Sequence, residues 1–122
     1  MYEIKTRISY SQVDKYGRLS FKALLNLFQD CALFHTEDTV APLESMIRSK
    51  RAWFLSSYRI MLHKLPIHGE KISVKTCTVK LSNVLGDRLF FIEDTKGNIL
   101  VEAYSQWVYM NLQKMKLRRW GF

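Results

Sequence analysis

Residues 11–32 decide the fold, because Ser-Gln-Val-Asp-Lys-Tyr-Gly-Arg-Leu-Ser-Phe-Lys-Ala-Leu-Leu-Asn-Leu-Phe-Gln-Asp-Cys-Ala sets a turn directly before a strongly apolar helix. The turn holds Asp14 and Gly17, and Ser20 is placed to cap the first free N–H groups of the helix. Apolar side chains then recur at steps of three and four residues, at Phe21, Leu24, Leu25, Phe28, Ala32 and His35, with Leu27, Cys31 and Phe34 widening the face. The polar residues occupy only a narrow strip, so we expect other structure to cover most of this helix.

The rest of the chain has the patterns of β-strands. Residues 2–10 alternate with the period of two that is typical of a half-buried strand. Residues 38–51 form a connecting segment in which Pro42 can open a short helical turn. Turn residues then separate four strand-like runs, at 53–62, 71–80, 87–94 and 99–111. Gly97 between the last two predicts a short hairpin loop.

This order predicts an α+β fold in which one helix lies against a meander of four long antiparallel strands and the opening strand. The first of the four runs is apolar on both faces, with Trp53, Leu55 and Met61 on one and Phe54, Tyr58 and Ile60 on the other. One helix cannot cover so broad a sheet, so we expect a second sheet to complete the cover. The chain would therefore form a homodimer or be half of a longer architecture.

Length and composition limit the class of protein. A chain of 122 residues fits a single domain over 1–122, and 48% hydrophobic with 25% charged residues is typical of a globular protein. Cys31 and Cys77 lack metal-ligand spacing, so we expect two free buried thiols and no metal. No segment resembles a signal peptide or reaches the roughly 20 apolar residues of a membrane span, so a cytoplasmic protein with no membrane span is expected.

The formal net charge of +8 predicts a surface that attracts polyanions. Basic residues concentrate at Arg48, Lys50 and Arg51 and again in the tail, at Lys114, Lys116, Arg118 and Arg119. These runs are either solvated segments or a docking surface for an acidic partner. No aromatic-interleaved basic strand or nucleic-acid motif is present, so nucleic-acid binding is not expected.

Several segments, taken in order, resemble a known family. They are the opening Tyr2-Glu-Ile, the turn Asp14-Lys-Tyr-Gly-Arg-Leu-Ser, the helix at 24–35, the strand start at Trp53, the loop 66–69 and the run Ser105-Gln-Trp-Val-Tyr-Met-Asn-Leu. Over nearly the whole chain they resemble the N-terminal hotdog repeat of the acyl-acyl carrier protein thioesterases. The resemblance implies one long central helix wrapped by a five-stranded, mainly antiparallel sheet. It also implies hydrolysis of fatty acyl thioesters of acyl carrier protein, releasing free fatty acid without metal or cofactor.

The catalytic residues of that family do not carry over. Its members usually have two hotdog repeats, and the second supplies an Asn-x-His element. Here none of the three histidines, His35, His63 and His68, has Asn two residues before it. Single-repeat hotdog thioesterases have an active loop of the form Asp-x-x-Gly-His followed by an Asn pair. Asp14 and Gly17 match that pattern, whereas Arg18, Ser20 and Phe21 replace the His and both Asn.

Each candidate site residue therefore has two interpretations. Asp14 is either a catalytic carboxylate or a structural one that accepts hydrogen bonds from the backbone of its own turn. The substrate-binding candidates are Ser20, Leu24, Phe28, Gln29, Trp53 and Leu55, and the apolar members of this set could equally be core residues. Candidates to meet acyl carrier protein are Arg18, Arg48, Lys50, Arg51 and Arg59. The alternative function is a non-catalytic hotdog module that binds acyl thioesters or supports a partner repeat.

Overall fold

The structure, a computed structural model, describes residues 1–39, 51–82 and 85–111. Its elements are β1 (Tyr2–Arg7), a single 3-10 turn (Tyr10–Gln12), α1 (Phe21–Thr39), β2 (Arg51–Leu62), β3 (Lys71–Leu81), β4 (Leu85–Asp94) and β5 (Ile99–Asn111). The predicted turn at Pro42 and the basic tail lie outside the described residues. The first strand is shorter than predicted, because the chain turns into the 3-10 helix at Tyr10. The Ser9 backbone N–H donates to Gln12 Oε1 and stabilises this turn.

The five strands form one antiparallel sheet in the order β1-β3-β4-β5-β2, with α1 packed on it. The prediction of an α+β fold with one helix on a five-stranded antiparallel sheet is therefore confirmed. The prediction of a four-strand meander is wrong, because only β3, β4 and β5 pair in sequence order. β2 lies at the edge of the sheet opposite β1 and pairs with β5, although it comes directly after α1 in the order of elements.

One extra residue in β2 reverses the side-chain faces along that strand. Leu55 pairs with Trp107 and Ser57 with Gln106, so the register shifts between Leu55 and Ser57. Tyr58 pairs with Ser105, which is two residues from Trp107 and so lies on the same face of β5. Leu55 and Tyr58, their partners, therefore share the helix-facing side of the sheet. The predicted placement of Leu55 on the opposite face from Tyr58 is wrong, because a bulge shifts the alternation by one residue.

The core lies between α1 and the sheet. Leu24, Phe28 and Cys31 of the helix are fully buried, and Phe90 of β4 stacks on Phe28 with ring centroids 4.8 Å apart. The described residues do not supply the expected cover over the rest of the helix, since Phe21 and Phe34 are 61% and 52% exposed. One sheet can contact only one side of a helix, so these two apolar side chains remain in solvent.

Two local predictions are confirmed, the conformation of Gly97 and the free state of the two cysteines. Gly97 has a φ of +85° in the loop between β4 and β5, which is the left-handed conformation expected for the hairpin. Cys31 and Cys77 are both free thiols, although only Cys31 is fully buried. Within the described residues, no helix is both long and apolar enough to cross a membrane.

Candidate functional site

The turn before α1 is built around the Asp14 carboxylate. Its Oδ1 accepts the backbone N–H of Tyr16 at 2.8 Å and that of Arg18 at 3.2 Å, while Gly17 has a φ of +77°. Desolvation alone would raise the pKa of Asp14, but the two N–H donors and the charges of Arg18 and Lys15 bring it below its usual value. Asp14 is therefore an ionised, exposed carboxylate that organises its own turn, as the structural interpretation predicts.

The hairpin between β4 and β5 contains the same turn. Asp94 Oδ1 accepts the N–H groups of Lys96 and Asn98, both at 2.9 Å, and Gly97 N–H donates to the Asp94 carbonyl at 3.1 Å. The two turns differ at the second carboxylate oxygen. Asp94 Oδ2 accepts the Asn98 side-chain amide at 3.0 Å, whereas no described residue donates a hydrogen bond to Asp14 Oδ2. The Asp-x-x-Gly pattern is thus sufficient to specify this turn. Of the two aspartates, Asp14 is the one with a carboxylate oxygen that has no described hydrogen-bond donor and could act on a substrate.

The N-terminus of α1 follows this turn directly. Ser20 caps the helix, since its Oγ accepts the N–H of Ala23 at 3.2 Å and its carbonyl accepts that of Leu24 at 2.9 Å. Within the described part of the chain, the N–H groups of Phe21 and Lys22 have no acceptor. Such free N–H groups at a helix start can stabilise a developing oxyanion. Asp14 and this helix start are therefore adjacent along the chain, as the sequence predicted.

The predicted substrate-binding residues separate into two groups. Leu24 and Phe28 lie in the interior between α1 and the sheet, where Phe28 also contacts Tyr58 with ring centroids 6.1 Å apart. Leu55 is on the same side of the sheet but 43% exposed, and Gln29 is exposed on the solvent side of the helix. Only the backbone of Trp53 is described, as part of β2. Leu24, Phe28 and Leu55 thus share the apolar helix-facing side of the sheet, whereas Gln29 points away from it.

Of the predicted acidic-partner residues, the structure describes the side chains of Arg18 and Arg59. Arg18 is exposed beside Asp14, with its guanidinium 5.2 Å from the Tyr16 ring centroid. Arg59 is exposed on β2 opposite Tyr104, on the sheet face away from the helix. Arg48 and Lys50 lie outside the described residues, and for Arg51 only the backbone is described. Of the two members with described side chains, Arg18 is the one next to the candidate catalytic turn.

A polar cluster that the sequence analysis missed lies under the C-terminal half of α1. Arg88 of β4 is half-buried, and its Nη1 donates to His35 Nδ1 at 2.8 Å and to Thr76 Oγ1 at 3.2 Å. His35 is half-buried and also stacks on Tyr2, with ring centroids 5.0 Å apart. A signal was present in the sequence. Arg88 precedes Phe90 and Ile92 at the period of two, which places a charge on the buried face of a strand.

The outer face of the sheet carries a different kind of groove. It has a volume of about 620 Å³ and lies over β1, β3 and the β4–β5 hairpin. Its lining is strongly charged, including Glu3, Lys5, Lys71 and Glu93, and Lys75 pairs with Glu93 at 3.1 Å nearby. An acyl chain requires an apolar lining, so this groove is not a candidate for it.

A long helix held against a five-stranded antiparallel sheet in the order β1-β3-β4-β5-β2 defines the chain as a hotdog-fold protein. The model of the acyl-ACP thioesterase N-terminal domain family matches residues 1–120, and the chain belongs to this family. A solved acyl-ACP thioesterase from Bacteroides thetaiotaomicron is similar at 29% identity and a TM-score of 0.83, over 92% of this chain and 46% of that one.

Two further relatives describe the extent of the similarity. The chloroplastic acyl-[acyl-carrier-protein] hydrolase FATB2 of Cuphea viscosissima is 27% identical over 107 residues, 82% of this chain but 26% of its own length. The chain thus spans about a quarter of the curated relatives that it matches. A 1,4-dihydroxy-2-naphthoyl-CoA thioesterase from Synechocystis has the same fold, with a TM-score of 0.81 at 15% identity over 91% of this chain and 82% of that one.

Proposed function

We propose that this chain supplies the acyl-binding repeat of an enzyme that hydrolyses fatty acyl thioesters of acyl carrier protein and releases free fatty acid. The observation that carries the proposal is the match of the family model over residues 1–120. The apolar interior at Leu24 and Phe28 provides the type of lining that an acyl chain requires. The ionised Asp14 carboxylate and the free N–H groups at the start of α1 offer an activating base and an oxyanion contact.

The proposal includes a second hotdog repeat or a second copy of this chain. Its support is that the chain spans 46% of the solved bacterial relative and leaves β2 as a 12-residue edge strand. An edge of that length is a template for further strand pairing. Phe21 and Phe34, exposed on the helix, would be covered by the same partner. A sedimentation experiment at micromolar concentration tests the homodimer, and a monomer there would contradict it.

The partner and location are proposed on the same basis. Acyl carrier protein is the substrate carrier of the relatives by name, and the exposed Arg18 beside Asp14 is the described cation best placed to meet an acidic partner. A cytoplasmic location is supported by the two free cysteines, which suit a reducing compartment. The curated relatives are themselves chloroplastic.

A non-catalytic role is the second candidate function. It is favoured by the hydrogen bonds that tie Asp14 Oδ1 into its own turn and by the missing Asn-x-His element. In this case the chain would bind acyl thioesters or support the partner repeat without contributing a reactive group.

The Asp94 turn provides a matched control for separating these functions. The purified chain, alone and mixed with its second repeat, is incubated with palmitoyl-acyl carrier protein, and the free fatty acid is measured by mass spectrometry. Asp14→Asn and Asp94→Asn replace the same carboxylate oxygen in the same type of turn, so they disturb the fold alike. Because only Asp14 lies beside the start of α1, we expect only Asp14→Asn to reduce turnover. Absence of free fatty acid in every mixture would defeat the hydrolase proposal. Binding of palmitoyl-acyl carrier protein without turnover, unchanged in Asp14→Asn, would select the non-catalytic module.

A further inference from the structure

The Arg88 cluster contains a positive charge that no carboxylate among the described residues balances. Among the residues that the structure describes, no carboxylate lies within ion-pair distance of the Arg88 guanidinium. The nearest titratable neighbours on the helix and on β2, Cys31 and Tyr58, are neutral at pH 7, since burial raises their pKa values to about 11 and about 12. His35 is also neutral, because burial and the charge of Arg88 lower its pKa.

The free donors of Arg88 have a defined geometry. Nη1 uses both of its hydrogens, on His35 Nδ1 and Thr76 Oγ1. The Nε–H group and the two N–H groups of Nη2 have no partner among the described residues. Nε and Nη2 form the side of the guanidinium that donates two parallel hydrogen bonds, which matches the two oxygens of a carboxylate or phosphate. The cluster therefore holds Arg88 through Nη1 and leaves the Nε and Nη2 donors without a partner among the described residues.

Desolvating an arginine is costly unless an anion is paired with it. Arginine cannot lose its proton to avoid this cost, because it remains charged in proteins. Neutral partners such as His35 and Thr76 fix the position of the guanidinium but do not neutralise it. A half-buried, positioned and unneutralised guanidinium is the arrangement expected where a ligand supplies the negative charge.

We propose that Arg88 forms an interior anion-binding site that takes the carboxylate or phosphate group of a ligand through its Nε and Nη2 edge. The site lies under His35, about 22 Å along α1 from Ser20 at 1.5 Å per residue, and is distinct from the Asp14 turn. Its ligand is either a fatty acid bound by its carboxylate or the phosphate of a phosphopantetheine arm. The proposal requires only an anion, so it is independent of whether the chain takes part in hydrolysis.

The first test is calorimetry on the purified chain with decanoate, decanol and 4′-phosphopantetheine as probes. Arg88→Met should weaken binding of the anionic ligand by about 10- to 100-fold, because hydrogen bonds to a charged group are lost. Decanol, which has the same chain length as decanoate without its charge, should bind equally to the wild type and Arg88→Met. Arg7→Gln removes an exposed arginine from β1 and should leave all three ligands unaffected. Preference for decanoate or for phosphopantetheine identifies the source of the anion.

Stability distinguishes a ligand site from a structural arginine. Arg88→Met removes an unpaired charge in favour of an apolar side chain of similar volume, so its thermal midpoint should equal or exceed that of the wild type. A marked fall in that midpoint would mean that Arg88 serves the fold and would overturn the proposal. So would equal anion affinity in the wild type and Arg88→Met.

A second measurement uses the wild-type chain alone. The Arg88 Nε–H resonance in a ¹⁵N–¹H NMR spectrum should shift when decanoate or phosphopantetheine is added and stay in place with decanol. This readout does not depend on whether any variant folds. If neither anion moves the resonance, Arg88 is not an anion-binding residue.

Discussion

Replacing Phe28 with alanine tests the packing between α1 and the sheet. Phe28 is fully buried, and its ring lies against Phe90 at 4.8 Å and Tyr58 at 6.1 Å. Deleting a buried phenylalanine ring costs about 3–5 kcal/mol through lost burial and the cavity left behind. For a chain of 122 residues, an unfolding entropy of about 2.1 cal/mol/K per residue converts this to a fall of about 12–20 °C in the thermal midpoint.

Phe34→Ala is the matched control, because it deletes the same ring from the same helix at a position that is 52% exposed. At low protein concentration, where the proposed partner does not cover Phe34, we expect it to cost about 0.5 kcal/mol or less. Urea unfolding followed by circular dichroism measures both variants, with the slope m unchanged if the compactness of both states is preserved. Repeating the measurement at two protein concentrations detects any interface at Phe34, since association makes stability depend on concentration. Equal losses for the two variants, or a loss under about 1 kcal/mol for Phe28→Ala, would refute the proposed core packing.

The same variant also examines the acyl slot. Phe28→Ala leaves an apolar space beside Phe90, and apolar cavities of this kind bind apolar ligands. Decanol should therefore restore part of the lost thermal midpoint in Phe28→Ala and have a smaller effect on Phe34→Ala. No recovery would indicate that the interior collapses around the missing ring and offers no slot.

Three further predictions concern charge, thiols and backbone. Folding lowers the pKa values of Asp14 and Asp94. The stabilisation from the two carboxylates is therefore present above the unfolded pKa of about 3.9 and is lost as the pH falls through the lower folded values. The free energy of unfolding, measured from pH 6 to pH 2, should fall less steeply in Asp14→Asn than in the wild type. Cys31, whose pKa burial raises to about 11, should react with a disulfide reagent far more slowly than Cys77 in the native chain, and equal rates would contradict the buried position. Gly97→Ala places a side chain at a φ of +85° and should cost about 1–2 kcal/mol in urea unfolding although the space around it is open; an unchanged midpoint would refute the turn geometry.

Local features were predictable because short-range patterns encode them. Period-three-and-four spacing predicted a helix starting at Phe21, and alternation with turn residues predicted the four later strands. Gly97 and the Ser20 cap were predictable for the same reason, since the backbone angle and the capping bond involve only neighbouring residues. The order of elements predicted the α+β layout and the family resemblance predicted the hotdog fold, and the five-stranded sheet packed against α1 confirms both.

The candidate site was less predictable from its residues. Asp14 and Ser20 lie where their local sequence indicated, at a turn and a helix start. The Asp-x-x-Gly pattern does not show whether the second carboxylate oxygen has a partner. In the Asp94 turn the Asn98 side chain donates to that oxygen, whereas in the Asp14 turn no described residue does. The slot residues Leu24 and Phe28 are apolar in either interpretation, so composition alone could not separate a filled core from a ligand site.

The sequence by itself determined which segments are helix and strand, because their hydrogen bonds and alternating faces depend on residues a few positions apart. Only the tertiary structure decided that β2 pairs with β5, since this pairing joins strands that are remote in sequence. It also decided the face of Leu55, because the bulge that sets it arises from register with β5. The Arg88 cluster joins β3, β4 and the end of α1, and its residues, up to 53 positions apart in sequence, meet only in the folded chain.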